Sequence, residues 1–364
     1  MARHAYDAAN AIRGVKFTPL VLTPEMEGDK AFDKKAVVNI VRLRGIKMDR
    51  LFERYLWSVA VFFVYTFYYC ITSRVKVIFV NTWSISGVSA FLANIIFRIP
   101  YFVFVHGLDV YAPQRDKRAA RLMAMVLKRS KKVIVNSSFT KGLIERILPG
   151  IQAVVINPVV DIDRFNAERR IMKEFEGKKV LLTVGRLVES KGHDMVLLAL
   201  QKVKEVFPEV VYCIVGEGPK QEDLNALVRK LGLGGNVIFA GRVNDEELPS
   251  YHHSCDIFIM TSKEIKERGE VEGFGIVFLE AGACGKPVIG GKSGGIPDAV
   301  IDGVTGILVD PNNVDEIASA IIRLLSDRDL ALRLGENGRK RVERELNITE
   351  FGKKLNEVIC GKIY

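Results

Sequence analysis

Arg186 and Lys191 stand five residues apart in Val184-Gly185-Arg186-Leu187-Val188-Glu189-Ser190-Lys191-Gly192, in the turn between a buried strand and a helix. Two cations at a helix start are an odd choice without an anion, because the helix dipole there already favours negative charge. A diphosphate would satisfy both, and the forked guanidinium would fix its orientation. A solvated loop with both cations free is the alternative. Val215-Gly216-Glu217-Gly218-Pro219 opens like a dinucleotide fingerprint, then breaks it with Gln221 where the last glycine belongs. It reads equally as a tight strand–helix turn or as a place where a nucleotide approaches backbone.

The most specific local pattern is Glu270-Val271-Glu272-Gly273-Phe274-Gly275-Ile276-Val277-Phe278-Leu279-Glu280-Ala281. Glu272 and Glu280 are eight residues apart, with Gly273 and Gly275 between them. A helix starting near Gly275 would turn its free N–H groups toward a ligand beside Glu272, and Glu280 would lie one and a half turns further on. Two glycines let a ligand reach the backbone closely, and a carboxylate beside amides accepts hydrogen bonds from hydroxyls, so a sugar fits. A surface loop followed by a helix-face Glu is the bland reading. Gly294-Gly295-Ile296-Pro297-Asp298 again bares N–H groups before a helix opened by Pro. His106 follows the strand Tyr101–Val105, as an idle loop residue or as a group that meets a ligand.

Asp161-Ile162-Asp163 and Asp327-Arg328-Asp329 match a short metal-binding pattern, but neither follows a buried strand, so no metal and no cofactor is expected. No G-x-S-x-G, HExxH or GxxxxGK[ST] occurs, which takes support from serine hydrolase, zinc protease and P-loop readings.

Such groups need rigid strand ends to stand on. Strands are expected at Phe17–Leu22, Val75–Val80, Tyr101–Val105, Lys132–Asn136, Ala153–Ile156, Val180–Val184, Val210–Val215, Asn236–Ala240, Asp256–Met260, Pro287–Ile289 and Gly306–Val309. Helical stretches such as Asp194–Val206, Gln221–Leu231 and Val314–Leu325 lie between them. That βαβ rhythm means α/β architecture with parallel sheets covered on both faces, and eleven strands suit two doubly wound sheets better than one. The seam is expected at Asn157–Phe165, where Pro, two Asp and a change of charge coincide.

The net charge of +10 is uneven. Residues 1–157 carry 24 Lys and Arg against 10 Asp and Glu, while the remainder is slightly acidic. A basic half suggests an anionic partner, which could be nucleic acid, a phosphorylated substrate or lipid head groups. Five Cys with no CxxC pair argue against a disulfide framework or a zinc ribbon. The first ten residues lack the apolar run of a signal peptide. Tyr55–Ser73 holds nineteen residues without a charge, eight of them aromatic, behind Arg42, Arg44, Lys47, Arg50 and Arg54. A buried helix is the expected reading; a helix lying on a membrane surface and a membrane span are the others.

Taken together, GRLVESKG, VGEGP, the E-x7-E motif in EVEGFGIVFLEA and GGIPDAVIDGVTGILVDP resemble the retaining glycosyltransferases of family 4, formerly group 1, over nearly the whole chain. The resemblance implies a GT-B fold, two Rossmann-like domains facing a central crevice. Residues 1–160 would form the acceptor-side domain and 161–345 the nucleotide-sugar domain, with 346–364 a helix packing back on the first. It implies that Arg186 and Lys191 hold the donor diphosphate. Glu272 and the amides of Gly273, Phe274, Gly275 and Ile276 would meet the transferred sugar, and Glu280 would bind the ribose. Gly185, Gly216 and Arg242 join the donor-binding set, and His106 would approach the sugar from the other domain. The stretch Ser262–Glu272 is similar to GDP-mannose-dependent phosphatidylinositol mannoside mannosyltransferases.

Two departures stand out. Family members open with a strand and a glycine-rich loop, whereas Ala2–Asp7 matches the helix that follows, so the first strand is missing from the expected fold. The linker reads Asn157-Pro158-Val159-Val160-Asp161, without the usual glycine. The expected activity is metal-independent hexosyl transfer with retention, mannose first, from GDP-mannose or a UDP-sugar to a lipid, lipid-linked or polysaccharide acceptor. Nucleic acid is not expected as a partner. The expected location is cytoplasmic, peripheral on the inner face of the cell membrane. A nucleotide-sugar epimerase on the same fold and a catalytically impaired sugar-nucleotide binder are the rivals.

Overall fold

Apolar runs such as Val210–Val215 have no polar face to turn to water, and all six of these residues are buried. The computed structural model of the chain describes residues 8–11, 18–25, 33, 36–44, 46, 52–111, 116–166 and 171–361. Every strand named below pairs only with parallel neighbours. The chain divides into two compact units: Met1–Pro158 with Ile348–Tyr364, and Val159–Asn347.

The first unit holds β1 (Leu20–Pro24), β2 (Asn39–Leu43), β3 (Ile78–Val80), β4 (Tyr101–Val105), β5 (Lys132–Val135) and β6 (Ala153–Val155). β1 and β2 pair with each other, and β3 to β6 form a four-stranded sheet in sequence order. The central strand β4 is buried at every residue, so side chains on both of its faces reach the core. The helix Ile348–Ile359 belongs to this unit. A Cβ at its Gly352 would come within 2.5 Å of the Ala11 carbonyl oxygen, so the two backbones touch where no side chain fits.

The second unit carries β7 (Lys179–Val184), β8 (Val210–Val215), β9 (Val237–Gly241), β10 (Ile257–Met260), β11 (Val288–Gly291) and β12 (Gly306–Val309), in the spatial order β12-β11-β10-β7-β8-β9. Alternation along the strands divides the core. Leu181, Tyr212, Ile214, Ile257 and Ile259 face the helices His193–Val206 and Val314–Ser326. Val180, Leu182, Cys213, Phe258 and Met260 face the helix Ile276–Ala283. Full burial of each such side chain contributes about 1.5–3 kcal/mol, and that packing holds the strand ends still. The order reverses between β7 and β10, which opens a crevice beyond their carboxyl ends, the place where open α/β sheets bind ligands.

Expected strand positions agree with those formed to within a few residues, except that β2 was not anticipated. Its sequence, Asn39-Ile40-Val41-Arg42-Leu43, is short and interrupted by a cation that pairs with Asp33. Tyr55–Ser73 is a helix, Phe52–Thr72, but not one buried on all sides. Ser58 and Phe62 are buried, while Leu56, Trp57, Val64, Tyr68 and Ile71 are each more than half exposed. Lys47, Arg50 and the segment Ala2–Asp7 lie outside the described residues, as does the side chain of Arg54.

Candidate functional site

β7 ends in a turn built by close backbone approaches. Gly185 N–H donates to the Val215 carbonyl at 2.9 Å. Gly216 has φ +137°, and a Cβ there would lie 2.0 Å from the Gly185 carbonyl oxygen. A Cβ at Gly218 would lie 2.4 Å from the Leu187 carbonyl oxygen. The VGEGP glycines are thus required by the chain's own neighbouring turn. The turn continues to Gly192, whose φ of +71° starts the helix His193–Val206. Gly192 also presses on the end of β10: its carbonyl accepts from Thr261 Oγ1 at 3.0 Å, and a Cβ would come within 2.2 Å of the Thr261 carbonyl oxygen. Strand ends β7 and β10 are locked together where the sheet reverses.

Lys191 lays its stem over Gly185, with Cε 3.8 Å from the place of a Cβ there, and its ammonium donates to Oε2 of Glu272. The two side chains are 23% and 17% exposed, so the ion pair is sheltered yet reachable. The main chain of Glu272 is gripped as well: its carbonyl accepts from Gly295 N–H at 2.9 Å, and Gly294, at φ +54°, leaves only 2.3 Å between a Cβ and that oxygen. The two glycine signals of the sequence, Gly273-Phe274-Gly275 and Gly294-Gly295, therefore converge on one residue, Glu272, the second of them on its main-chain carbonyl. Gly275, at φ +93°, opens the helix Ile276–Ala283, which has no side-chain cap. Its N-terminal N–H groups and Glu272 form one polar edge. The ring of Phe274 belongs to the core, leaving only its main chain for a ligand, whereas Ile276 is exposed.

Glu280 sits on the same helix and approaches His252, at 3.7 Å between Oε2 and Nε2. His193 is buried beneath the β7 turn, its Nδ1 3.2 Å from the Tyr212 hydroxyl and its Nε2 3.2 Å from the Arg186 carbonyl oxygen. Burial lowers its pKa to about 4, so it is a neutral strut of the loop. Neither histidine stands out in the sequence, because Lys191-Gly192-His193-Asp194 and Tyr251-His252-His253-Ser254 are polar stretches with nothing to mark a buried ring. Arg186 and Arg242 are exposed at the ends of β7 and β9. No hydrogen bond or ion pair of the Arg186 guanidinium is found among the described residues.

His106 lies in the first unit, just past β4. Its N–H donates to Asp109 Oδ1 at 2.9 Å and its carbonyl accepts from Asn136 Nδ2 at 3.3 Å. Burial lowers its imidazole pKa to about 4, so it is neutral at physiological pH. Asp161 and Asp327 accept main-chain N–H groups of Arg164 and Leu330, as residues at helix starts do. Among the described residues no three His, Cys, Asp or Glu side chains gather to hold a metal ion.

Relatives include the "GDP-mannose-dependent alpha-(1-6)-phosphatidylinositol monomannoside mannosyltransferase" of Mycolicibacterium smegmatis, 38% identical over 56% of this chain and 55% of its own. The protein of the same name from Mycobacterium tuberculosis is 36% identical over 62% and 60%. The matches thus span little more than half the length of these relatives. Among solved structures, sucrose-phosphate synthase from Thermosynechococcus elongatus superposes with a TM-score of 0.79 over 98% of this chain and 91% of its own, at 22% identity. Anabaena HepE, in complex with UDP and glucose, gives 0.79 over 98% and 94%, also at 22% identity. Both support the fold, which is GT-B. Two family models tile the sequence, Glycosyltransferase Family 4 over residues 1–164 and Glycosyl transferases group 1 over residues 164–341. By its motifs, its fold and both of these matches, the chain belongs to the family 4, or group 1, glycosyltransferases.

Proposed function

We propose that the protein transfers a hexose, mannose first, from a nucleotide diphosphate sugar to an alcohol, with retention and without a metal ion. The observation that carries this reading is the Lys191–Glu272 pair at the reversal of the sheet, beside the glycine-opened helix Ile276–Ala283. A cation, a carboxylate and free main-chain N–H groups at one edge suit a ligand with an anionic end and a hydroxylated end. Lys191 and the exposed Arg186 neutralise the departing diphosphate, the charge that grows as the glycosidic bond breaks. Glu272 accepts hydrogen bonds from the sugar, and Glu280 from the ribose. Mannose and a guanosine base are favoured because the mycobacterial relatives are named for GDP-mannose. A screen of GDP- and UDP-sugars, scored by released nucleotide and by product sugar, tests the reading. Turnover of GDP-mannose is expected. A product that is a new nucleotide sugar, with no nucleotide released, would instead mean epimerisation.

The acceptor proposed is a lipid or lipid-linked alcohol at an anionic membrane surface. The exposed stripe Trp57, Val64, Tyr68 and Ile71 recurs at helical spacing on one face of Phe52–Thr72. Tyr and Trp suit the interfacial layer, where an apolar body and a polar tip are both accommodated. Residues Tyr55–Thr72 are long and apolar enough to cross a membrane. The opposite face, however, packs on the helix Ile85–Phe97, with Phe67 and Phe97 ring centroids 5.0 Å apart, and a helix so held favours lying on a surface. The basic excess of residues 1–157 complements anionic head groups. A cytoplasmic, peripheral location follows from this proposal.

A further inference from the structure

The imidazole of His252, on the helix Leu248–Ser254, is wholly buried, and neither ring nitrogen has a hydrogen-bond partner among the described residues. Oε2 of Glu280 is also buried without a hydrogen bond, and it stands 3.7 Å from Nε2 of the same ring. An unmade hydrogen bond in the interior is costly, and two orphaned atoms that face each other relieve that cost together by closing a few tenths of an ångström. The ring is held for that contact. It stacks on Phe258 with centroids 5.4 Å apart and planes at 28°, and Phe165 meets it edge-on at 5.6 Å and 78°. A phenylalanine or leucine would fill that apolar cage without leaving polar atoms inside it. The side chain of Glu280 keeps 15% of its surface exposed, so the carboxylate has one oxygen turned inward and still reaches solvent.

We propose that His252 is a positioning residue for donor binding: its Nε2–H donates to Oε2 of Glu280 and sets the carboxylate so that the other oxygen meets the ribose hydroxyls of the nucleotide. The inference rests on the assignment of Glu280 to the ribose. Without the histidine the carboxylate would lose its inner anchor and rotate among several conformers, and the hydrogen bonds to the ribose would weaken while those to the diphosphate would not. The signature is therefore lost discrimination between ribose and deoxyribose, which a merely structural role would not produce.

The test is calorimetric titration with GDP and UDP and with their 2′-deoxy and 3′-deoxy counterparts, on the unaltered protein and on H252Q, H252N and E280Q. The side-chain nitrogen of Gln reaches the place of Nε2, and that of Asn stops at the place of Nδ1. The unaltered protein is expected to favour the ribonucleotide about tenfold, the worth of one hydrogen bond to a charged group. H252Q should keep most of that preference, and H252N should bring it near unity, as E280Q does. Melting temperatures of the two His252 variants, taken alongside, should be alike. H252N retaining the full preference, or H252Q losing as much as H252N, would overturn the positioning role. No ribose preference in the unaltered protein would remove the assignment of Glu280 itself, and the role of His252 with it.

Discussion

Glu272 and Lys191 each limit where the other can go, yet the assignments give them different parts of one ligand. Glu272→Gln should therefore cut turnover while leaving the affinity for free nucleotide nearly intact, whereas Glu280→Gln should weaken nucleotide and nucleotide sugar alike. Titration with nucleotide alone separates the two; equal losses would mean that the roles are not divided. Arg186→Ala should weaken binding of a nucleoside diphosphate by about 1.5–3 kcal/mol, the worth of a charge-assisted contact. Unchanged affinity in both the Arg186 and Lys191 alanine variants would sink the diphosphate assignment. Arg186, Lys191, Glu272 and Glu280 were legible because charged residues at the ends of apolar runs stand out. His252 and His193 were not, because each sits in a polar stretch and looks in sequence like a surface residue, although both are buried. His193 has its own signature. Its pKa falls from 6.5 to about 4 on burial, so between those pH values the unfolded chain binds a proton that the folded one does not. Stability is full above that window and declines as pH drops through it, by about 3 kcal/mol in all. His193→Gln should make the decline in urea unfolding measured from pH 7 to 4 shallower, leaving the share that the likewise buried His106 contributes, and an unaltered slope would contradict this.

At the level of elements, glycines decide how closely two turns approach. A Cβ at Gly216 would lie 2.0 Å from a carbonyl oxygen and the residue is at φ +137°, so Gly216→Ala has both a clash and a strained backbone to accommodate. Gly232, at φ +65°, has nothing within 4 Å of the same position. Gly232→Ala is expected to cost about 1–2 kcal/mol, the left-handed penalty alone, and Gly216→Ala at least about 2 kcal/mol more. Denaturant midpoints compare the two, and equal losses would show that the turn yields. The parallel strands were legible because a strand buried on both faces leaves a plain apolar run, as in Tyr101–Val105 and Val210–Val215. Asn39–Leu43 hid because a polar and a charged residue break its run. The helix Phe52–Thr72 was legible as a helix, but which face it hides depends on its packing against Ile85–Phe97, and composition holds no information on that.

For the molecule as a whole, charge and metal requirement are the measurable properties. Co-sedimentation with anionic liposomes should be strong at low salt and fall as salt rises, because each Lys or Arg near such a surface is worth about 1 kcal/mol and is screened within a Debye length. Trp57→Asp with Tyr68→Asp should weaken it further at fixed salt. No binding even at low salt would return the acceptor to soluble sugars. Transfer should survive EDTA, since Asp161 and Asp327 are engaged with main-chain N–H groups. Loss on chelation, restored by Mg²⁺ or Mn²⁺, would contradict that.

The first unit is discontinuous, made of Met1–Pro158 and Ile348–Tyr364, whereas the second is a single run of chain. A ribosome therefore releases the second unit whole before the first has received its last helix. Until Gly352 can settle against Ala11, the earlier-made unit must wait with that contact unmade, while the later-made one is free to fold. The order of completion during synthesis thus runs against the order of the sequence. No single cut in the chain yields two intact halves; excising residues 159–347 with two cuts is the division that respects both.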